Sequence, residues 1–294
     1  MSESTWRAER FEAERARLRG VAYRMLGSLS EAEDAVQEAW LRFDRAETDT
    51  IDNVSAWLTT VVSRLCLDQL RRRRSRREDA ADLRAAGEGD ADPDAVDPDR
   101  EAQLADSVGL ALLVVLETLS PAERLAFVLH DLFGVPFDEI APLVDRSPMA
   151  TRKLASRARN RIKGPPAPSE VDRARQRKVV EAFLAASRQG DFEGLVAVLD
   201  PDVHLRVDPQ ILPIGVSAEA RGAHTVAARA KAFSRGATSP VALSLIDGSV
   251  GLILAPNGRL QLAQTFTVVD GKITEIELIA DPQRLEALQL AVLD

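Results

Sequence analysis

The sequence predicts a multidomain chain: two all-α domains, the second with a helix-turn-helix, then a C-terminal α+β domain. Three observations predict it. Apolar residues recur at helical spacing as far as about residue 163, as in Val36, Ala39, Trp40 and Phe43. The stretch Gly164-Pro165-Pro166-Ala167-Pro168-Ser169 then interrupts the pattern. Beyond it comes strand-like alternation, with Val203, Leu205 and Val207 set against His204, Arg206 and Asp208. At 294 residues the chain exceeds one typical domain.

The first domain is expected over 8–77. Leu18, Val21, Ala22, Met25 and Leu26 give its first stripe, which Gly27 and Ser28 end. In SEAEDAVQEAWLRF (30–43), Ser30 is the expected N-cap and Glu33 completes a capping box. Asp34, Gln37, Glu38 and Arg42 are left for the other faces of that helix. In NVSAWLTTVVSRLCLDQLRRRRSRR (Asn53–Arg77), Leu58, Val61, Val62 and Leu65 form the next stripe, and six arginines crowd Arg71–Arg77. An acidic linker is expected over 78–101. From Glu78 to Asp106, eleven acidic residues face only Arg84 and Arg100, and too few apolar side chains exist to offset the entropy of ordering.

The second domain is expected over 102–163. Val108, Leu112, Val115, Leu116 and Leu119 mark one helix. Ser120-Pro121-Ala122-Glu123 starts the next with an N-cap, proline at the first position and glutamate at the third. Pro142 predicts that the helix after Phe137 is short or distorted. Ser147-Pro148 restarts a helix to about Lys163, with Leu154 and Ile162 on its buried side and Ala150, Ala155 and Ala158 permitting close packing. A stiff linker over 164–170 leads to the third domain, 171–292. There Asp270-Gly271 is a two-residue hairpin turn into the strand Lys272–Ile279.

The net charge of −8 opposes indiscriminate binding to polyanions, but the charge is segregated. Arg146–Lys163 carries seven basic residues and no acidic one, which fits local contacts with DNA. The single cysteine, Cys66, excludes an intrachain disulfide and reads as a buried thiol. No run approaches the roughly 18 apolar residues of a membrane span and no signal-peptide core is present, so a soluble cytoplasmic protein is expected, with no contact to membrane.

SEAEDAVQEAW resembles the core-polymerase-binding helix of bacterial sigma factors. NVSAWLTTVVSRLCLDQLRRRR resembles the segment that opens and reads the −10 element, and Phe137–Ile162 resembles the domain that reads the −35 element. Their order and spacing resemble the extracytoplasmic-function group of the sigma-70 family. The resemblance implies that Asp34, Gln37 and Glu38 meet the coiled coil of the polymerase β′ clamp, and that the second domain docks on the β flap. It implies that Asn53 and Ser55 contact an unstacked base of the melted −10 strand, with Arg64, Arg71, Arg72 and Arg74 on its phosphates. Trp57 reads as core. Arg152, Lys153, Ser156 and Arg157 fall where the family's side chains enter the major groove, and Arg159, Arg161 and Lys163 fall on phosphates. In the family the acidic linker threads toward the polymerase channels, where negative charge can mimic nucleic acid; a solubilising tether is the other reading.

The third domain resembles the SnoaL-like, ketosteroid-isomerase-like cone, in which helices fill the mouth of a curved antiparallel sheet. Relatives of that cone use acid–base groups in an apolar cavity. The candidates here are His204, Asp208 and His224, with Arg206 as a charge partner. The expected role is nevertheless regulatory rather than catalytic, with an unknown small-molecule ligand as a candidate partner and with no cofactor or metal. Two departures from related fused sigma factors bear on that role: the linker lacks a Trp-Leu-Pro-Glu-Pro motif, and VDPQILPIGV (Val207–Val216) replaces an Asp-Gly-Gly-rich loop. The alternatives are a one-component ligand-sensing DNA-binding regulator and a SnoaL-like isomerase or cyclase.

Overall fold

A computed structural model describes residues 3–46, 51–84, 109–164, 170–213, 215–234 and 241–293. They fall into two units: Met1–Glu101 with Leu116–Arg159, and Ala102–Val115 with Asn160–Asp294. Most of the expected acidic linker, all of the Pro-rich segment but its first and last residues, and Thr48–Thr50 lie outside the described residues.

The first unit opens with α1 (Glu3–Leu26), α2 (Leu29–Arg45) and α3 (Val54–Arg84). Gly27 ends α1 at φ +76, a conformation open to glycine at little cost. That early stop makes Ser28 the N-cap of α2 in place of the expected Ser30. Its hydroxyl accepts from the Glu31 amide at 3.5 Å, and Ser30 only supports it at 3.0 Å. Val36, Ala39 and Phe43 are buried as the pattern requires, and Trp40 packs on Phe11 with ring centroids 5.1 Å apart. In α3 the buried stripe is Leu58, Val62 and Cys66, while Val61 and Leu65 are half-buried. Burial pushes the Cys66 thiol up to about 12. The helix continues past the expected boundary at Arg77 to Arg84.

Next in the chain come α4 (Leu110–Glu117), of which Leu110–Val115 belong to the second unit, α5 (Pro121–Phe127) with a π-helical turn over Val128–Leu132, α6 (Phe137–Ile140) with a 3-10 turn over Ala141–Leu143, and α7 (Pro148–Lys163), of which Asn160–Lys163 belong to the second unit. The expected capping box is present, Ser120 accepting from the Glu123 amide at 3.4 Å while Glu123 accepts from the Ser120 amide at 3.2 Å. Pro142 falls where the α-helix gives way to 3-10 geometry, as its missing N–H requires. The carbonyls at the end of α1 join these pieces. Arg73 of α3 donates to the Leu26 carbonyl at 3.0 Å and pairs with Glu31. Arg124 of α5, only 4% exposed, donates to the Met25 carbonyl at 2.7 Å.

The second unit holds α8 (Glu170–Gln189), α9 (Phe192–Val198), β1 (Leu199–Val207), β2 (Glu219–Arg221), α10 (Ala223–Ser234), β3 (Val241–Ile246), β4 (Ser249–Leu254), β5 (Leu262–Val269), β6 (Lys272–Ile279), α11 (Pro282–Ala287) and β7 (Leu290–Ala291). The strands form one sheet in the order β2-β1-β6-β5-β4-β3-β7. It is mixed rather than antiparallel, because β1 and β6 run parallel with Leu205 beside Ile276. The intervening chain, long enough to cross over, makes that pairing possible. Asp270 and Gly271 form the expected tight turn with φ +50 and +78.

Both faces of the sheet are covered. Leu205, Leu252 and Ile276 pack under α8, α9 and α10. Ile246, Ile253, Ala263 and Ile279 pack against Leu110, Ala111, Val114 and Val115 of α4, with Ile162 of α7 beside them. Two-sided cover explains why β4 is buried over successive residues. The sheet's edge is also closed on α7: Val292 donates to the Ile162 carbonyl at 2.9 Å, and a side chain at Gly164 would meet the Ala291 Cβ at 2.5 Å.

Asp208 fastens the end of β1 to the turn after β6. Its carboxylate accepts from the Ala280 amide at 2.8 Å, the Asp281 amide at 2.9 Å and the Arg284 guanidinium at 2.6 Å. Burial alone would push this carboxyl up, but the two amides and Arg284 outweigh it and hold it below the usual carboxylate range.

Two outcomes follow for stability. Arg124→Met leaves the Met25 carbonyl without its donor in a buried place and should cost about 1–3 kcal/mol, read as a lower midpoint in urea with an unchanged slope. Asp208→Asn should lower Tm at pH 7 by about 2–4 °C, equivalent to about 1 kcal/mol. A carboxyl depressed in the folded state contributes stability above its unfolded pKa of about 4 and loses it as pH falls. The gap between wild type and Asp208→Asn should therefore close toward pH 3 in melting curves; a gap that stays constant would rule out the ionised carboxylate as its source.

Candidate nucleic-acid interface

The spacing of α2 puts Asp34, Gln37, Glu38 and Leu41 on one outward stripe, at i, i+3, i+4 and i+7. Asp34 and Gln37 are exposed, and Glu38 pairs with Arg42 at 2.9 Å. Leu41, 40% exposed, was passed over in the sequence reading; its signal was an apolar residue lying outside the buried stripe. The opposite side of α2 is fixed by Ala32, Ala35, Ala39 and Phe43, all buried. A stripe of two carboxylates, an amide and a leucine on a rigid helix suits a basic partner surface with an apolar spot.

Asn53 and Ser55 stand at the start of α3. The Asn53 Oδ1 accepts from the Ala56 amide at 3.1 Å, so the side chain also caps the helix. Ser55 lies 3.5 Å from the Arg17 guanidinium, which donates to Thr59 at 2.8 Å. With Ala56 and the turn Phe133–Pro136 they line a cleft of about 190 Å³. Trp57 packs on Phe43 with ring centroids 5.8 Å apart, in keeping with a core role. Farther along α3, Arg64, Arg71, Arg72 and Arg74 are exposed, and Arg71 is loosely paired with Asp68 at 3.8 Å. Arg73, in the same run, is turned inward to the end of α1.

The helix-turn-helix is α6 and α7, joined through Asp145 at φ +52. The Ser147 hydroxyl accepts from the Ala150 amide at 3.3 Å and caps α7. The buried side of α7 is Thr151, Ala155 and Ala158, whereas Leu154 is only half-buried and Ile162 packs on the sheet of the second unit. Small residues win this side because α7 lies close on its neighbours. Arg152, Lys153, Ser156 and Arg157 thereby come together on the exposed side, with the Arg152 guanidinium over the Phe137 ring at 5.3 Å. Arg159 is drawn to Asp131 at 2.8 Å, which competes with any phosphate, while Arg161 and Lys163 are exposed. Met149, 67% exposed in the first turn, is a further side chain the sequence reading missed. It stands one turn before Lys153, where an apolar group could touch a thymine methyl.

The C-terminal candidates do not form one site. His204 meets Glu219 at 3.3 Å, Asp208 is enclosed by its amides and Arg284, and His224 lies against Phe192 with ring centroids 5.9 Å apart. Arg206 pairs with Glu275 and not with Asp208. A cavity of about 440 Å³ between α8, α10 and the sheet is lined instead by residues such as Phe183, Leu205, Leu252 and Ile276. The alternation of β1 explains the difference: Leu205 faces the helices, and its polar neighbours face outward. Among the described residues no group of three or more His, Cys, Asp or Glu side chains could hold a metal ion, and no helix is long and apolar enough to cross a membrane.

Residues 10–76 match the Sigma-70 region 2 family and residues 109–162 match Sigma-70, region 4. The chain is 37% identical over 286 residues to the probable ECF RNA polymerase sigma factor SigI of Mycobacterium tuberculosis, covering 97% of this chain and 95% of that one. It is 38% identical over 288 residues to ECF RNA polymerase sigma factor SigJ of the same organism, covering 93% and 91%. The crystal structure of Mycobacterium tuberculosis SigJ is 35% identical, spans 95% of this chain and 98% of its own, and superposes with a TM-score of 0.45. The chain belongs to the extracytoplasmic-function RNA polymerase sigma factors.

Proposed function

We propose that the outward stripe of α2 (Asp34, Gln37, Glu38, Leu41) docks on the basic coiled coil of the β′ clamp of core polymerase, with α4–α7 on the β flap. The cleft at Asn53 and Ser55 receives an unstacked base of the −10 element, and Arg64, Arg71, Arg72 and Arg74 follow the strand's phosphates. The observation that carries the reading is α7: Arg152, Lys153, Ser156 and Arg157 share its exposed side while Thr151, Ala155 and Ala158 fix the other. That arrangement suits a recognition helix in the major groove, where arginine or lysine pairs with guanine O6 and N7. Arg161 and Lys163 then lie on phosphates, with Arg159 able to join them only by leaving Asp131.

The cone regulates the sigma part, with a small organic molecule as its ligand, and the protein works in the cytoplasm. It carries out no reaction of its own. Asp208, the best candidate base, already accepts three hydrogen bonds and is held ionised, which leaves it poorly suited to take up a proton.

Run-off transcription with purified core polymerase and the full-length chain tests the reading. Transcripts should depend on the added protein. Arg152→Ala should lower output from the cognate promoter about 5- to 150-fold, the equivalent of about 1–3 kcal/mol, and relax preference at one base pair of the −35 element. Asp34→Lys with Glu38→Lys should instead weaken core binding on every promoter, measured by co-elution with polymerase, and the loss should lessen at high salt. Wild-type protein that footprints promoter DNA without polymerase, yet yields no transcript with it, would overturn the reading in favour of a one-component regulator.

A further inference from the structure

The cavity of the second unit is not accounted for by packing. Protein interiors fill to the density of organic crystals and leave few voids larger than a water molecule, yet about 440 Å³ lies open between α8, α10 and the sheet. That volume falls within the roughly 300–1,000 Å³ of ligand sites. Apolar side chains from every wall converge on it, among them Phe183, Val226, Leu252 and Ile276, and the partly exposed Phe233 stands among the lining residues. Among the described residues only Ser187, Arg188 and Gln264 bring polar side chains to it.

Two of those groups have hydrogen-bonding capacity that no described residue takes up. Arg177, Arg206 and Arg284 pair with Glu181, Glu275 and Asp208 respectively. Arg188 makes no ion pair with a described residue; one of its nitrogens donates to the Val241 carbonyl at 2.9 Å, which holds the exposed guanidinium at the cavity lining. The Gln264 amide, inside on β5, makes no hydrogen bond to a described residue. An apolar chamber with one fixed cation and one amide is complementary to a molecule with an apolar body and a single anionic end. We infer that this cavity binds a small amphipathic organic anion, its aliphatic or aromatic body among Phe183, Leu252 and Ile276 and its carboxylate on Arg188.

The inference rests on the reading of the cone as the regulatory part of the chain, but its test involves neither polymerase nor DNA, so its failure leaves promoter-directed transcription standing. The native full-length protein is titrated with 1-anilinonaphthalene-8-sulfonate, an aromatic anion that brightens in apolar surroundings, and the probe is then displaced with decanoate or with 1-decanol. Saturable binding at one site per chain is expected. Ala230→Trp places a ring inside the cavity and should weaken the probe at least tenfold at an unchanged melting temperature. Arg188→Gln, on the exposed rim, should weaken decanoate about tenfold and leave 1-decanol within twofold. Should Ala230→Trp fail to fold, the decanoate and decanol comparison in Arg188→Gln decides alone. No saturable binding by the folded wild type, undiminished binding by folded Ala230→Trp, or equal losses of both competitors in Arg188→Gln would each overturn the proposal.

Discussion

The end of α1 is the constraint on which the first unit depends. Where Gly27 turns the chain out of the helix, the carbonyls of Met25 and Leu26 lose their partners within the helix and need donors from elsewhere. Two guanidiniums supply them, Arg73 from α3 and Arg124 from α5, and each cation also meets the negative end of the helix dipole. Arg124 comes from 99 residues away in sequence and is almost wholly buried. A buried charge without partners would be costly, so the bond and the packing around it form together or not at all. The two helical pieces are thereby one unit, and the turn Phe133–Pro136 comes to face Asn53 and Ser55 across their cleft. The wall of that cleft is thus contributed by the second piece as well as by α3.

In the second unit the sheet holds the comparable place. Because α8–α10 cover one face and Leu110–Val115 the other, β4 has to be apolar on both sides near its middle. Helix α4 begins on this sheet, and α7 ends on it through Ile162 and Gly164. A chain cut after Gly164 would strip Leu110, Ala111, Val114 and Val115 of their cover. Transcription by such a fragment therefore reports the loss of those core contacts along with any effect of the removed domain, and substitutions in the whole chain separate the two.

Local chemistry was legible in the sequence, and long-range partners were not. The capping box at Ser120, the turn at Asp270-Gly271 and the distortion at Pro142 each depend on a few adjacent residues, and each formed as read. The buried face of α2 was legible because its period is short and regular. The buried side of α7 was read in part: Ala155 and Ala158 pack closely as expected, but hydrophobicity ranked Leu154 above Thr151, which is the one buried. The cap at Ser28 was missed by two residues because Ser28 and Ser30 each stand three residues before a glutamate, Glu31 and Glu33, and offer the same capping signature. The parallel pairing of β1 with β6 and the enclosure of Asp208 by Ala280, Asp281 and Arg284 bring together residues about seventy positions apart, for which no local pattern exists. For the same reason His204, Asp208 and His224 looked like a site, while the cavity lay behind the apolar residues between them.

Arginine shows why composition alone could not assign the interface. Arg72 and Arg73 are neighbours in one basic run, yet Arg73 is turned inward onto a helix end and Arg72 is exposed. Arg157 and Arg159 are two apart on α7, yet Asp131 draws Arg159 aside while Arg157 stands clear on the exposed side. What separates them is whether a carboxylate or an orphaned carbonyl lies within reach of the guanidinium. An arginine so engaged must give up a bond before it can bind phosphate, which subtracts from its affinity; one in water gives up only hydration and counterions, and its release of those ions on binding DNA is what makes the contact salt-dependent. The salt slope of promoter binding should accordingly track the outward arginines of α3 and α7 and be insensitive to Arg73 and Arg124, which is how a chain of net charge −8 can present a positive surface to DNA.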